Sequence, residues 1–368
     1  MKKFLLFFAV LLLVLFLAAC GGEDAETSGD DDSGDTEETD ETDEVEAEES
    51  EEETEASGDA EFTIRASIGL NADHPQYDGL LRFKELVEEE TNGDVVVETY
   101  HSGQLGDDRT AMEALQLGSQ EVTIPSTAPV ANFIPEYAVF DIPFLMPSEE
   151  VADEVLDGEV GQELLDMLED QNLVGLAYWE NGYRDMSNSV GPIETQADLE
   201  GLTLRTMENE LHLDSFSALG ANPTPMAFTE LFTAMQQGTV DGQENPIATI
   251  YLEGFHEVQD YVSATNHVYT PFVFLVSKSF FDGLPEEYQE ILRDAAVEAG
   301  EYQREVNREA NEKYVQSLID EGVNFNEVSD EAKDEMRETV QPVIDEFADS
   351  LESNIVEELY DAIEAAQD

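Results

Sequence analysis

Apolar and polar residues alternate through "AEFTIRASIGL" (60–70), the pattern of a strand with one buried face. Leu80, Leu81, Phe83, Leu86 and Val87 then recur at helical spacing, predicting a helix over 77–91 that Asn92-Gly93 ends. "DVVVETY" (94–100) reads as a second strand. Asp107 or Asp108 can cap the next helix, "DRTAMEALQLG", which stops at Gly118, and "EVTI" (121–124) is a third strand. Strand, helix, strand, helix, strand predicts a parallel sheet with helical crossovers. A similar cadence returns downstream. "DLEGLTLRTM" (198–207) reads as a strand, "FTELFTAMQQG" (228–238) as a helix ending in glycine, and "TVDGQENP" (239–246) follows it. "TPFVFLVSK" (270–278) has the length and composition of a buried strand. Two long helical patterns finish the chain, 286–319 and 330–366, the second with an interruption expected near Pro342.

The N-terminus has a different pattern. Lys2 and Lys3 precede an unbroken apolar run over 4–17, followed by Ala18-Ala19-Cys20-Gly21, the layout of an export signal. The run is shorter than the about 20 apolar residues of a membrane span. "LAAC" resembles a bacterial lipobox, with 1–19 as signal peptide and Cys20 lipidated. An ordinary secretory signal with an incidental cysteine is the alternative. Cys20 is the sole cysteine of the chain, so the rest has no disulfide, thiol nucleophile or cysteine metal site. Residues 21–59 hold 21 Asp and Glu and no Lys or Arg, and 20–59 is expected to be an acidic, disordered tether.

Charge narrows the partners. Residues 60–368 carry 66 acidic and 13 basic side chains, a sign that excludes nucleic acid. Acidity spread along the whole chain suits a salt-rich medium, where at about 1 M salt the Debye length is near 3 Å and self-repulsion is screened. The length suits two lobes.

Enzyme signatures are scarce: there is no GxSxG, HExxH, GxxxxGK or GxGxxG. The five histidines lack metal spacing, and no cofactor is implied. His74 in "NADHPQ" suits either a surface loop or a pocket. The arginines carry more information. Between Arg109 and Lys278 there are two basic residues, Arg184 and Arg205, among 28 acidic ones. Arg205 lies in the strand-like "GLTLRTM", where a free charge is costly to bury. It needs either an internal carboxylate or an anionic ligand. Paired with Arg184 in "YWENGYRDMSN", it suits a carboxylate, because planar guanidinium forks bind one bidentately. Trp179, Phe228, Tyr269 and Phe272 are each candidates for core or pocket wall, and Asn245 before Pro246 offers an amide at a loop.

Taken together, "YWENGYR", "DLEGLTLRTMEN", "ALGANPTPMAFTELFTAMQQGTVDGQENP", "HSGQLGDDRTAMEALQLG" and "FDIPFLM" resemble the solute-binding proteins of TRAP transporters, the DctP-type family. The likeness covers essentially all of 60–330. It implies a periplasmic-binding-protein-like α/β fold of two lobes joined by hinge strands, with a long helix crossing both. Lobe I is then 60–182 with a return near 271–300, and lobe II is 183–270 with C-terminal helices near 301–368. It places the ligand-carboxylate arginine at Arg205, a second arginine at Arg184, a ligand-contacting asparagine at Asn245 and an aromatic wall at Phe228. Trp179 and Tyr269 are further wall candidates, and His74, Ser126 and Thr127 are weaker first-lobe assignments. The implied protein is not an enzyme. It captures a small organic acid outside the cytoplasm, tied to a membrane by lipid, and delivers it to TRAP membrane subunits. A ligand-sensing lipoprotein and a lipid-anchored hydrolase or lyase are the alternatives.

Overall fold

Nine strands form one mixed sheet within residues 60–367, the part of the chain that the computed structural model describes. The signal, Cys20 and the acidic tether lie outside the described residues. In chain order the strands are β1 (Phe62–Ser67), β2 (Val95–Tyr100), β3 (Val122–Thr123), β4 (Leu173–Asn188), β5 (Thr203–Thr206), β6 (Asn222–Pro225), β7 (Gly242–Asn245), β8 (Tyr261–Ser277) and β9 (Asn324–Glu327). Their order across the sheet is β2-β1-β3-β8-β4-β7-β5-β6, with β9 on the N-terminal end of β8.

Two βαβ units explain this order. In the first, β1 pairs in parallel with β2 and β3, as the opening cadence predicts. The intervening helix Pro75–Glu90 buries Leu80, Phe83 and Val87 and stops where Asn92 and Gly93 take positive φ, 52° and 82°. Asp107 caps the next helix, Asp108–Gln116, accepting a bond from the Thr110 amide at 2.9 Å. In the second unit β5 pairs in parallel with β6 and β7, around the helices Glu210–Ala218 and Phe228–Gln236.

β4 and β8 join the lobes. They run 16 and 17 residues, the second far beyond the strand read at 270–278, because each belongs to both halves. Their antiparallel register shifts between Glu180 and Gly182, where Gly182 takes φ 109° opposite Pro271 and Thr270. The long helix Glu286–Asp320 closes over that irregularity. Gln303 donates to the Glu180 carbonyl and accepts from its amide, both at 2.8 Å, so the bulged backbone stays satisfied.

Three apolar clusters follow. One lies under β1–β3 and the helix Pro75–Glu90, one around the helices Phe228–Gln236 and Ile247–Leu252, and the largest joins Tyr137, Tyr178 and the C-terminal helices. The helix Asp330–Ser350 continues through Pro342, contrary to the expected interruption. Pro342 is on the exposed face, where water can bond the carbonyl that loses its donor. The break falls instead at Leu351, before the helix Ile355–Ala366. Among the described residues no helix is long and apolar enough to cross a membrane.

Candidate functional site

The carboxyl ends of both parallel units face one cleft, where open α/β sheets put their ligands. Gly69 and Leu70 follow β1, and Ile124 and Ser126 follow β3, with Gln76 and Asp108 from the adjoining helices. Arg205 and Met207 come from the end of β5, Met226 from beyond β6, Asn245 from the end of β7, and Phe228 from the next helix. Asn181, Arg184 and Phe272 of the hinge strands form its back.

Arg205 reaches the cleft because β-strand alternation turns it away from Leu204, which is fully buried in the largest core cluster. The side chain is 2 % exposed. Its Nε and Nη2 donate to the Met226 carbonyl at 3.0 and 2.7 Å, whereas Nη1 has no partner. Burial brings its pKa down to about 10, with Glu244 and Asp108 acting in the opposite sense and Arg184 adding to the fall. Among the described residues no carboxylate pairs with this guanidinium. That is a costly arrangement for an empty site and a prepared one for an incoming anion.

Arg184 differs. Its Nε donates to Glu244 Oε2, and its Nη2 donates to Glu244 Oε1 at 2.9 Å, the Glu244 carbonyl at 2.6 Å and Asn245 Oδ1 at 3.0 Å. The remaining nitrogen, Nη1, has only Thr270 Oγ1 at 3.5 Å. Burial would raise the Glu244 carboxyl, but Arg184 and His267 overcome it and hold the pKa well below the usual range. Arg184 and Glu244 therefore cancel, and the uncompensated positive charge is that of Arg205. Asn245 is similarly engaged, since its Nδ2 donates to Gln243 Oε1 at 2.5 Å.

Four expected pocket residues lie elsewhere. Trp179 is core: its ring packs on Phe274, its Nε1 donates to the Ala296 carbonyl at 2.9 Å, and Gly79 and Gly300 leave the space that admits it. His74 caps the helix Pro75–Glu90, with Nδ1 accepting from the Gln76 amide and Nε2 on Thr249 Oγ1 at 3.1 Å. Burial brings its pKa down to about 3, so it stays neutral. Thr127 turns inward to the Pro271 carbonyl at 3.3 Å, and Tyr269 donates to Glu180 Oε2 at 3.2 Å. Aromatic identity does not distinguish core from wall. Phe228 and Phe272 line the cleft, but Trp179 and Tyr269 do not.

Ser126, one of the weaker first-lobe assignments, completes the site with Gln76 and Asp108, which the motifs did not single out as ligand contacts. Gln76 Nε2 is fixed by the Ile124 carbonyl at 2.8 Å, leaving Oε1 buried and unpartnered, and Ser126 Oγ is likewise unpartnered. Burial pushes the Asp108 carboxyl up to about 7, opposed by the Ser126 amide and Arg205. Position was the usable signal, because each lies just beyond a strand's carboxyl end or at the adjoining helix start.

The lobes are bonded to each other around the cleft. Asn71 donates from its amide to Glu253 Oε1 at 2.8 Å and from Nδ2 to the Leu252 carbonyl at 2.7 Å. Asn132 Nδ2 donates to the Glu208 carbonyl at 2.6 Å. With His74 and Thr249, these contacts hold a closed arrangement.

Residues 66–350 match the model of DctP, bacterial extracellular solute-binding protein, family 7. The chain is similar to the sugar acid binding protein DctPAm of Advenella mimigardefordensis, solved in complex with galactonate, at 43 % identity and TM-score 0.81, covering 83 % of this chain and 98 % of that one. A TRAP periplasmic solute-binding protein of Sulfurospirillum deleyianum, solved with bound succinate, is 31 % identical with TM-score 0.78, covering 83 % of this chain and 99 % of that one. The C4-dicarboxylate-binding periplasmic protein DctP of Rhodobacter capsulatus is 36 % identical over 76 % of this chain and 84 % of its own length. This chain therefore belongs to the DctP family of extracellular solute-binding proteins, which bind transporter substrates and are not enzymes.

Proposed function

We propose that the chain captures a small organic acid anion through an arginine–carboxylate clamp and delivers it to the membrane subunits of a TRAP transporter, held at the membrane by a lipid on Cys20. The buried, unpartnered Nη1 of Arg205 in an interlobe cleft carries this reading. Arg205 is the primary contact. Arg184 supports it through its one loosely engaged nitrogen, while Glu244 and Asn245 fix that side chain in place. Arg205, Arg184 and Asn245 stand on one side of the cleft and Gln76, Asp108 and Ser126 on the other, so only the closed form offers both sides, and ligand binding favours closure by that differential contact. Closure also removes the ion pair from water, where about 1 M salt would screen an exposed pair within about 3 Å. A charge-assisted bond of this kind contributes about 1.5–3 kcal/mol net. Relatives solved with galactonate, D-erythronate and succinate support the ligand class. A thermal-shift screen of organic acids in molar salt tests it: at least one carboxylate should raise the melting temperature, and none doing so would defeat the reading.

A further inference from the structure

The side of the cleft built by the first βαβ unit has a different chemical character from the clamp. Its buried groups accept hydrogen bonds. Gln76 Oε1 is an acceptor by elimination, because the Ile124 carbonyl at 2.8 Å claims the amide nitrogen. Ser126 Oγ is buried with no internal partner. Asp108 adds a carboxylate whose Oδ2 receives only the Ser126 amide, at 3.4 Å. Arg109 is the cation on this side, but its side chain is 55 % exposed and turned to Glu113 at 3.3 Å. The cleft thus offers an unpartnered donor, Arg205 Nη1, from the second βαβ unit and unpartnered oxygens, Gln76 Oε1 and Ser126 Oγ, from the first.

We infer that the cleft selects a polyhydroxylated monocarboxylate over a dicarboxylate, with Gln76, Ser126 and Asp108 reading its hydroxyl groups. The inference rests on Arg205 as the carboxylate clamp and adds what the first unit's side of the cleft demands. Sugar hydroxyls donate to Gln76 Oε1 and Asp108 while exchanging bonds with Ser126 Oγ, so every orphaned atom gains a partner. A second carboxylate in the same place has no donor for Gln76 Oε1 and sets a further negative charge against ionisation of the Asp108 carboxyl, although Ser126 Oγ can still donate to it. A bare alkyl chain leaves the polar atoms buried and unpaired, the situation in which sites built for hydroxyls reject their deoxy analogues most strongly.

Calorimetry on the full chain with three six-carbon acids separates the cases: D-galactonate, hexanoate and adipate. Galactonate should bind at least about 100-fold more tightly than either of the others, from two or more hydroxyls at about tenfold each. Ser126→Ala removes a hydroxyl that has no internal partner, so the unliganded protein should melt unchanged or higher, while galactonate weakens about tenfold and adipate does not. Asp108→Asn keeps the shape and the acceptor for the Ser126 amide but removes the negative charge, and should narrow the gap between galactonate and adipate. Adipate binding within threefold of galactonate, or a Ser126→Ala variant with wild-type preference, overturns the inference and leaves the carboxylate clamp standing. Loss of all three acids on Arg205→Lys together with an unchanged preference in the wall variants overturns it equally. Binding of none of the acids to the wild type instead removes the clamp reading on which the inference depends.

Discussion

Replacing Arg205 by lysine tests the clamp because it keeps the charge and removes the geometry. Two of the three guanidinium nitrogens are committed to the Met226 carbonyl, at 3.0 and 2.7 Å, and Nη1 is left for ligand. A single ammonium cannot hold that carbonyl and grip a carboxylate along parallel bonds. Losing one charge-assisted bond at a buried site should cost about 1.5–3 kcal/mol, or roughly 10- to 150-fold in affinity. The empty protein should suffer less. Lowering the arginine pKa from 12.5 to about 10 by burial corresponds to about 3 kcal/mol of unfavourable charge burial, which the Met226 bonds only partly offset. Arg205→Met should therefore melt close to wild type without ligand and show no ligand-induced shift. The control is Arg337→Lys, at a side chain 48 % exposed and paired with Asp334 at 2.7 Å, where the change should be within about 0.5 kcal/mol. Titration calorimetry in molar salt on the three proteins, with matched melting curves, is the assay. Equal affinities for Arg205→Lys and Arg337→Lys would refute the clamp.

Three further outcomes are expected. Asn71→Ala removes the Nδ2 bond to the Leu252 carbonyl across the cleft, and stopped-flow release of ligand should quicken by about 2- to 10-fold with little change in association; an unaltered release rate would exclude a latch there. His74 is neutral in the fold with its pKa brought down to about 3, while the unfolded chain takes up a proton near 6.5, so its contribution is full above about 6.5 and is lost as pH falls toward 3, by about 2 kcal/mol at pH 5. His74→Gln forfeits the cap, about 1 kcal/mol, and should melt below wild type at pH 8, draw level at about pH 6 and melt above it at pH 5; parallel melting curves would contradict this assignment. With a formal charge of −72 on the full chain, the melting temperature should rise from dilute buffer to about 1 M potassium chloride, and an unchanged curve would remove the salt-adapted reading.

The sequence alone determined the βαβ cadence, the helix stops at Gly93 and Gly118, and the special standing of Arg205, because these depend on local periodicity, φ > 0 and the cost of a lone buried charge. Arg184 drew attention for the same reason as Arg205, yet only the tertiary structure sets the Glu244 carboxylate against one and a backbone carbonyl alone against the other. Trp179 and Tyr269 show the same limit. A buried aromatic has one sequence signature whether it faces a cleft or a helix, and here the helix Glu286–Asp320 takes Trp179. The lengths of β4 and β8 were hidden because Asn181-Gly182 and Pro271 read as strand ends, whereas the fold takes them up as a bulge inside two continuous strands. Gln76 carries no motif, Asp108 read only as a helix cap, and Ser126 was a weak assignment. They become a wall only when segments distant in the chain bring the carboxyl ends of two sheet halves to face the same space.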